Sequence, residues 1–267
     1  MLHICDTYGT EFHMNFNATK TVCMHMSRNP KDIVTYPIKL SGQIRKWVDS
    51  FKYLGIYITP DLCDDTDINQ KRGQFISSVN NLISSFKKLQ CNLLNQLFNC
   101  YCCSFYGCQS WSLSNSCIHK LSTAYNKGLR KIWGLPYMSR TCIVLTLADK
   151  LGIIDLLEKR FCTLFFAMIR SDNPHISQIA KLAERDRTSI IGNNIDVICR
   201  NHSLFDRNLE KWFKSMYEVH ATADDEYVVL ANVIRELCLC RDNVYELHNF
   251  SYDELQTIID HLSTCGI

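Results

Sequence analysis

The spacing of apolar and polar residues predicts a short β-rich segment followed by a series of helices. Between about Ile68 and Leu89, apolar residues recur on one arc of a helix, and the opposite face is polar but uncharged. A second helix is predicted over about Asn92–Trp111; it is apolar on nearly all sides, so we expect it to be buried. A third is predicted over about Cys117–Trp133, and Gly134 and Pro136 end it.

The third helix has the clearest two-sided pattern. At about 100° per residue, apolar side chains gather on one side and three lysines on nearly the opposite side. The apolar set is Ile118, Leu121, Tyr125, Leu129 and Ile132, and the lysines are Lys120, Lys127 and Lys131. Lysines stacked on one face repel one another, so this arrangement favours a polyanion that neutralises them.

The residues before position 64 predict short strands. We expect residues 1–14 to be the end of an element that starts upstream, Thr21–Met24 to be a strand, and Ile33–Leu40 to be an edge strand. A hairpin is predicted with arms Ile44–Val48 and Phe51–Thr59 and a turn at Asp49-Ser50. The glycine inside the second arm, Gly55, indicates that another backbone approaches closely there.

The residues after position 140 predict further helices. These are Leu151–Arg170, Ile176–Arg185, Leu204–Val219, Val228–Leu239 and Tyr252–Ser263, with a loop at Gly192-Asn193-Asn194. The predicted fold class is therefore α+β, a small antiparallel β segment followed by helices. We expect three regions: 1–62 with the β-hairpin, 63–148 as a basic helical bundle, and 149–267 as an acidic helical region.

Composition supports a folded protein with uneven charge. The chain is 46% hydrophobic and 21% charged, values typical of globular proteins and not of disordered ones. The net charge of +2 hides sixteen Lys and Arg against eight Asp and Glu in residues 1–140, and thirteen against nineteen in residues 141–267. Residues 68–148 contain nine Lys or Arg and no Asp or Glu. This pattern favours an extended anionic partner, most simply a nucleic-acid backbone, over a solvated basic bundle with no partner.

The cysteines and grouped acids invite metal hypotheses that we do not favour. With no apolar N-terminal signal segment and no run long enough to span a bilayer, the fifteen cysteines are expected to be core residues of an intracellular protein, nuclear or cytoplasmic. The residues Cys238, Cys240, His248, His261 and Cys265 lack the spacing of a zinc site. The grouped acids Asp64, Asp65 and Asp67 are expected to cap a helix start. We therefore predict no metal ligands in this chain.

Four segments occur in an order and spacing that resemble a known family. They are Asn15–Met24, Phe51–Ile56, Tyr106–Trp111 and Ala124–Arg130. Together they resemble reverse transcriptases, the RNA-directed DNA polymerases, of non-LTR (LINE-type) retrotransposons. The resemblance covers about residues 1–145, from the end of the polymerase palm through the helical thumb.

The resemblance implies roles for individual residues. Lys20 matches the palm lysine proposed to protonate the pyrophosphate leaving group, which makes it the candidate general acid. The triplet Tyr53, Leu54 and Gly55 matches the primer grip, and residues 68–140 match the thumb that holds the template–primer duplex. The expected nucleic-acid-binding residues are therefore this triplet together with Lys120, Lys127, Arg130 and Lys131.

One departure from the family decides the expected activity. Family members carry an aromatic-Ala-Asp-Asp sequence upstream of the lysine, and its carboxylates hold the divalent magnesium of the complete enzyme. This chain has no such sequence before Lys20, so we expect a truncated copy that is inactive alone and holds no cofactor of its own. Thr222–Leu230 looks similar but lies on the wrong side of the other segments, and helix capping explains its acids better.

Two classes of function remain open. The first is a reverse-transcriptase fragment that binds template–primer nucleic acid, and its other partners would be the missing palm and fingers or another protein. The second is a non-enzymatic helical protein-interaction domain that uses Phe- and Leu-rich faces. A membrane partner is not expected.

Overall fold

The fold was obtained as a computed structural model, which describes residues 2–14, 16–17, 20–27, 36–87 and 89–217. Helices dominate these residues and the strands are short, which confirms a mixed α+β class. The strands are β1 Val22–Cys23, β2 Lys39–Leu40, β3 Gln43–Ile44, β4 Lys46–Trp47, β5 Phe51–Tyr53 and β6 Ile56–Ile58. The helices are α1 Leu2–Glu11, α2 Asp65–Ser85, α3 Cys91–Cys102, α4 Cys117–Ile132, α5 Thr141–Ala148, α6 Ile153–Ile169, α7 Pro174–Arg185, α8 Ile190–Asn201 and α9 Leu209–Tyr217.

The strands form three two-stranded sheets. β1 pairs with β4 in parallel, whereas β2 with β3 and β5 with β6 are antiparallel. The predicted hairpin turn at Asp49-Ser50 is wrong, because the chain reverses at Leu54-Gly55. Both turn residues have positive φ, 47° for Leu54 and 86° for Gly55, as tight hairpin turns require. Gly55 therefore makes the turn and does not lie in a strand interior.

The first hydrophobic core lies between α2, α3 and α4 and extends to α5 and the start of α6. Phe75 of α2 contacts Phe98 of α3 edge-on, with 5.7 Å between ring centroids, and packs against Tyr125 of α4 at 6.0 Å. Gly128 lies where α4 meets α2: a Cβ there would be 3.2 Å from Cζ of Phe75. Glycine thus lets the two helices approach closely.

The second predicted helix differs from the observed one in length and burial. α3 ends at Cys102. Phe105 and Gly107 in the loop after it have φ values of 34° and 81°, outside the right-handed helical region, and a 3-10 turn follows at Cys108–Ser110. Leu93 and Tyr101 of α3 are exposed, so the helix is not apolar and buried on all sides. The apolar pattern continued past Cys102 because the loop after it is itself buried.

The second core lies among α6, α7, α8 and α9. Helix α6 belongs to both cores: Ile153 and Leu157 pack in the first, and Phe161 and Phe165 pack in the second. The predicted boundary between residues 148 and 149 lies a few residues before this shared helix.

The predicted loop at Gly192-Asn193-Asn194 is wrong, because these residues lie inside α8. Ser189 caps the helix, with its Oγ accepting a hydrogen bond from the Gly192 N–H at 2.9 Å. Asn194 is fully buried; its Nδ2 donates to the Trp111 carbonyl, and its Oδ1 accepts from the Leu113 N–H. The polar residues that indicated a loop therefore anchor the helix instead.

Some sequence interpretations fall outside the described residues. They concern the predicted helices Val228–Leu239 and Tyr252–Ser263, the acids of Thr222–Leu230, and the zinc candidates Cys238, Cys240, His248, His261 and Cys265. Among the helices that the structure describes, none combines the length and apolarity needed to cross a bilayer.

Candidate nucleic-acid interface

The three predicted lysines of α4 lie together along one groove between α2 and α4. Lys120, Lys127 and Lys131 are all exposed, and Arg72 of α2 lines the same groove. The floor is apolar and consists of Phe75, Ile76, Val79, Ala124 and Gly128. Spacings of seven and four residues bring the lysines onto one helix face, and the opposite face is buried in the first core.

Among the described residues, no ion pair neutralises the four cations of this groove, and no acidic side chain lines it. Lys131 Nζ donates to Asn80 Oδ1 at 3.0 Å, and Arg72 Nε is buried without a hydrogen-bond partner among the described residues. The exposed lysine ammonium groups are charged donors, which suit an anion that supplies acceptor oxygens.

Arg130, predicted to contact nucleic acid, does not line the groove. Its Nε and Nη2 donate to the Ser139 carbonyl at 2.9 and 2.6 Å, and Nη2 also donates to Thr141 Oγ1 at 3.1 Å. The guanidinium therefore holds the segment between α4 and α5 in place.

The predicted primer-grip triplet forms the tip of the β5–β6 hairpin. Tyr53 and Leu54 have 57% and 72% of their surface exposed. Lys71 Nζ of α2 donates to the Gly55 carbonyl at 3.3 Å, which attaches the tip to the helix. Since Arg72 follows Lys71 directly, hairpin and groove are held by neighbouring residues of α2.

A buried carboxylate from the grouped acids, expected only to cap the start of α2, fixes this arrangement. Asp67 accepts from Lys71 Nζ at 2.7 and 2.9 Å, from the Tyr57 N–H at 3.0 Å and from Trp111 Nε1 at 2.8 Å. One side chain thus joins α2 to the hairpin and to the 3-10 turn. The four-residue spacing between Asp67 and Lys71 is the sequence signal that indicates this ion pair.

The grouped acids stand at the helix start as expected, but the expected capping hydrogen bond of Asp64, at the N-cap position of α2, is not made. Asp64 Oδ2 instead accepts from the Ser112 N–H at 2.7 Å, and burial raises the pKa of this carboxyl. Asp65 Oδ1 accepts from Asn115 Nδ2 at 2.8 Å, and this bond lowers the Asp65 pKa.

Lys20 lies apart from the groove, in the turn before β1. Its side chain is exposed, and its backbone N–H donates to Asn17 Oδ1 at 3.1 Å.

Among the described residues, one group of side chains has the composition of a metal site, and the sequence analysis missed it. Asp155 and Glu158 of α6 meet His202, the residue that follows α8. The sequence separation of His202 from α6 hides this cluster.

Comparison of the chain with protein families, curated proteins and solved structures finds no match.

Proposed function

We propose that the chain binds the phosphate backbone of nucleic acid along the α2–α4 groove. The observation that carries the proposal is the convergence of Arg72, Lys120, Lys127 and Lys131 on one groove, whose lining includes no acid among the residues that the structure describes. Such a surface attracts polyanions and releases their condensed counterions.

The length of the groove favours a polymer over a single phosphate. With a rise of about 1.5 Å per residue, Lys120 and Lys131 are about 16 Å apart along the axis of α4. Phosphates on one strand of a duplex follow one another at about 3.4 Å along its axis, so this distance matches about five of them. The apolar side chains of the floor carry no negative charge, so they do not repel the phosphates.

We further propose that the chain is a palm-end and thumb fragment of the reverse-transcriptase type. The order of the four segments supports this, as does the attachment of the Tyr53-Leu54-Gly55 tip to the helix that carries Arg72. The residues before Lys20 lack paired aspartates, so we expect the purified chain alone to show no magnesium-dependent nucleotide incorporation on a primed template. Incorporation above a no-protein control would refute this expectation.

The binding proposal is tested with a fluorescently labelled 20-base-pair duplex and an unpaired strand of the same length. Anisotropy titrations between 50 and 200 mM salt give the slope of log affinity against log salt. Four phosphate contacts predict a slope of about −3.6 for the duplex and about −2.8 for the single strand. Absence of binding at 50 mM salt, or an affinity that salt does not change, would contradict the proposal.

A second candidate function, protein interaction, is favoured by α1. Leu2, Ile4, Tyr8 and Phe12 of this helix and the segment after it are exposed apolar residues. Grouped apolar exposure of this kind is typical of a surface that a partner covers. Binding through α1 would be weakened by Ile4→Asp and would depend little on salt, which separates it from binding through the groove.

A further inference from the structure

We propose that Asp155, Glu158 and His202 form a binding site for one divalent transition-metal ion. Each residue offers one ligand atom, and these three atoms lie within 4.8 Å of one another. Asp155 and Glu158 are three residues apart and so project from the same face of α6, while His202 is presented by the C-terminal end of α8.

The cluster is sheltered and already organised. Glu158 is fully buried; its Oε2 lies 2.7 Å from His202 Nε2, and its Oε1 accepts from Asn201 Nδ2 at 2.9 Å. A metal ligand usually needs such an outer partner, and Asn201 would keep holding the second carboxylate oxygen after a metal binds. His202 is further fixed by ring contact with Trp212, 4.4 Å between centroids.

A separate observation concerns an unpartnered polar atom in the cavity beside the cluster. Asn126 of α4 lines the same cavity as Asp155, Glu158 and His202. Its Oδ1 is enclosed and has no hydrogen-bond partner among the described residues. An amide oxygen can only accept, so it suits either direct contact with a cation or a bond from a water on that cation.

The ligand set indicates the class of ion. One imidazole nitrogen with two carboxylate oxygens suits Zn²⁺, Mn²⁺ or Fe²⁺, whereas Mg²⁺ and Ca²⁺ prefer oxygen alone. Ligand bonds of about 2.0–2.2 Å place donor atoms roughly 3.3 Å apart in a tetrahedral site. The ion would thus take the place of the hydrogen between His202 and Glu158. Nε2 and Oε2, now 2.7 Å apart, would move to about 3.3 Å.

This site is independent of the nucleic-acid proposal. The cavity beside Asp155 and the α2–α4 groove share no lining residue. A bound ion would join α6 to α8 and raise the stability of the second core through linkage.

Mn²⁺ is the probe, because it is a hard ion with little affinity for thiols and the chain contains fifteen cysteines. The full chain is titrated under reducing conditions, and free Mn²⁺ is followed by electron paramagnetic resonance while thermal unfolding is measured in parallel. We expect one Mn²⁺ per chain and an increase in the unfolding midpoint.

Two variants and two matched controls locate the ion. Asp155→Asn keeps the side-chain size and leaves the Tyr217 hydroxyl bond to the Asp155 backbone carbonyl intact, so it should fold and bind Mn²⁺ at least tenfold more weakly. His202→Gln should do the same. The controls Asp172→Asn and His175→Gln change exposed residues of the same types and should bind like the wild type. Absence of a stoichiometric site, or undiminished binding by folded Asp155→Asn, would overturn the proposal.

Discussion

Lys127 provides a sharp test of the groove, because its replacement should weaken binding without harming the fold. Its side chain is exposed, lines the groove between Lys120 and Lys131, and makes no ion pair with a described residue. Lys127→Gln keeps a long polar side chain and removes one positive charge.

The expected change follows from counterion release. With four contacts, raising salt from 50 to 200 mM should weaken duplex binding about 150-fold. Loss of one contact lowers the slope by about 0.9, and the same change in salt should then weaken binding only about 40-fold. The free energy of unfolding of Lys127→Gln should rise slightly. Lys127 and Lys131 are like charges four residues apart, and removing one relieves about 0.2–0.5 kcal/mol of repulsion.

The assay is anisotropy with the labelled duplex at four salt concentrations, and urea unfolding measures stability. Lys181→Gln is the matched control, since Lys181 is an exposed helical lysine outside the groove. Lys127→Arg should retain the wild-type slope. An unchanged slope in Lys127→Gln, or an equal change in Lys181→Gln, would refute the reasoning.

Three further changes test the packing around the hairpin and in the second core. Asp67→Asn should lower the free energy of unfolding by about 3–5 kcal/mol, because it leaves the Lys71 ammonium buried without a carboxylate, as urea unfolding would measure. Gly107→Ala should cost about 1–3 kcal/mol in the same assay, because φ is 81° and the new Cβ would lie 2.8 Å from the Ile56 side chain. Burial raises the pKa of the Cys162 thiol to about 12, so the folded protein keeps a proton that the unfolded chain loses above about pH 9. Stability should therefore fall as pH rises from about 9 towards 12, and Cys162→Ala should remove about 1 kcal/mol of that loss at pH 10.

Each of these changes has a matched control. Glu210→Gln removes a carboxylate from exposed ion pairs and should leave stability unchanged, so an equal loss would contradict the role of burial at Asp67. Gly42 has a φ of 73°, and no atom of a described residue lies within 4 Å of its Cβ position, so Gly42→Ala measures the cost of backbone strain without a steric clash. Cys142 is exposed, so Cys142→Ala should lose as much stability between about pH 9 and 12 as the wild type does.

Helix α4 and the positions of its lysines could be predicted from the sequence, because one helix carries the whole pattern. The observed helix, Cys117–Ile132, differs from the predicted one by one residue. A local apolar period was enough to predict which side of the helix would be buried. That Arg72 lines the same groove could not be predicted, since it depends on how α2 packs against α4.

The hairpin turn and the end of α3 were misplaced for related physical reasons. Leu54 adopts a positive φ that leucine seldom takes, so propensity alone did not indicate a turn there. Cys103 and Phe105 are buried although they lie outside a helix, so the apolar pattern did not stop where the helix did. In both places the surrounding packing decided the conformation.

The buried polar clusters depend on contacts between residues that are distant in sequence. Asp67 meets Trp111, and Glu158 meets His202, only after α2 and α6 have packed against their neighbours. Neither pair has a short spacing that could identify it. The four-residue spacing of Asp67 and Lys71 is visible in the sequence, but tertiary structure is needed to find the contact of Asp67 with Trp111 and the candidate metal site.

The most direct measurement of the central claim compares two variants of equal charge. One variant replaces the four groove cations with glutamine, at Arg72, Lys120, Lys127 and Lys131. The other replaces four exposed lysines outside the groove, at Lys39, Lys46, Lys181 and Lys211.

Both variants lose four positive charges, so each lowers the formal net charge from +2 to −2. Duplex affinity at 50 mM salt, measured with both proteins folded, should be lost in the groove variant and remain within a few-fold of the wild type in the other. Equal losses in the two variants would show that net charge, and not the groove between α2 and α4, binds the nucleic acid.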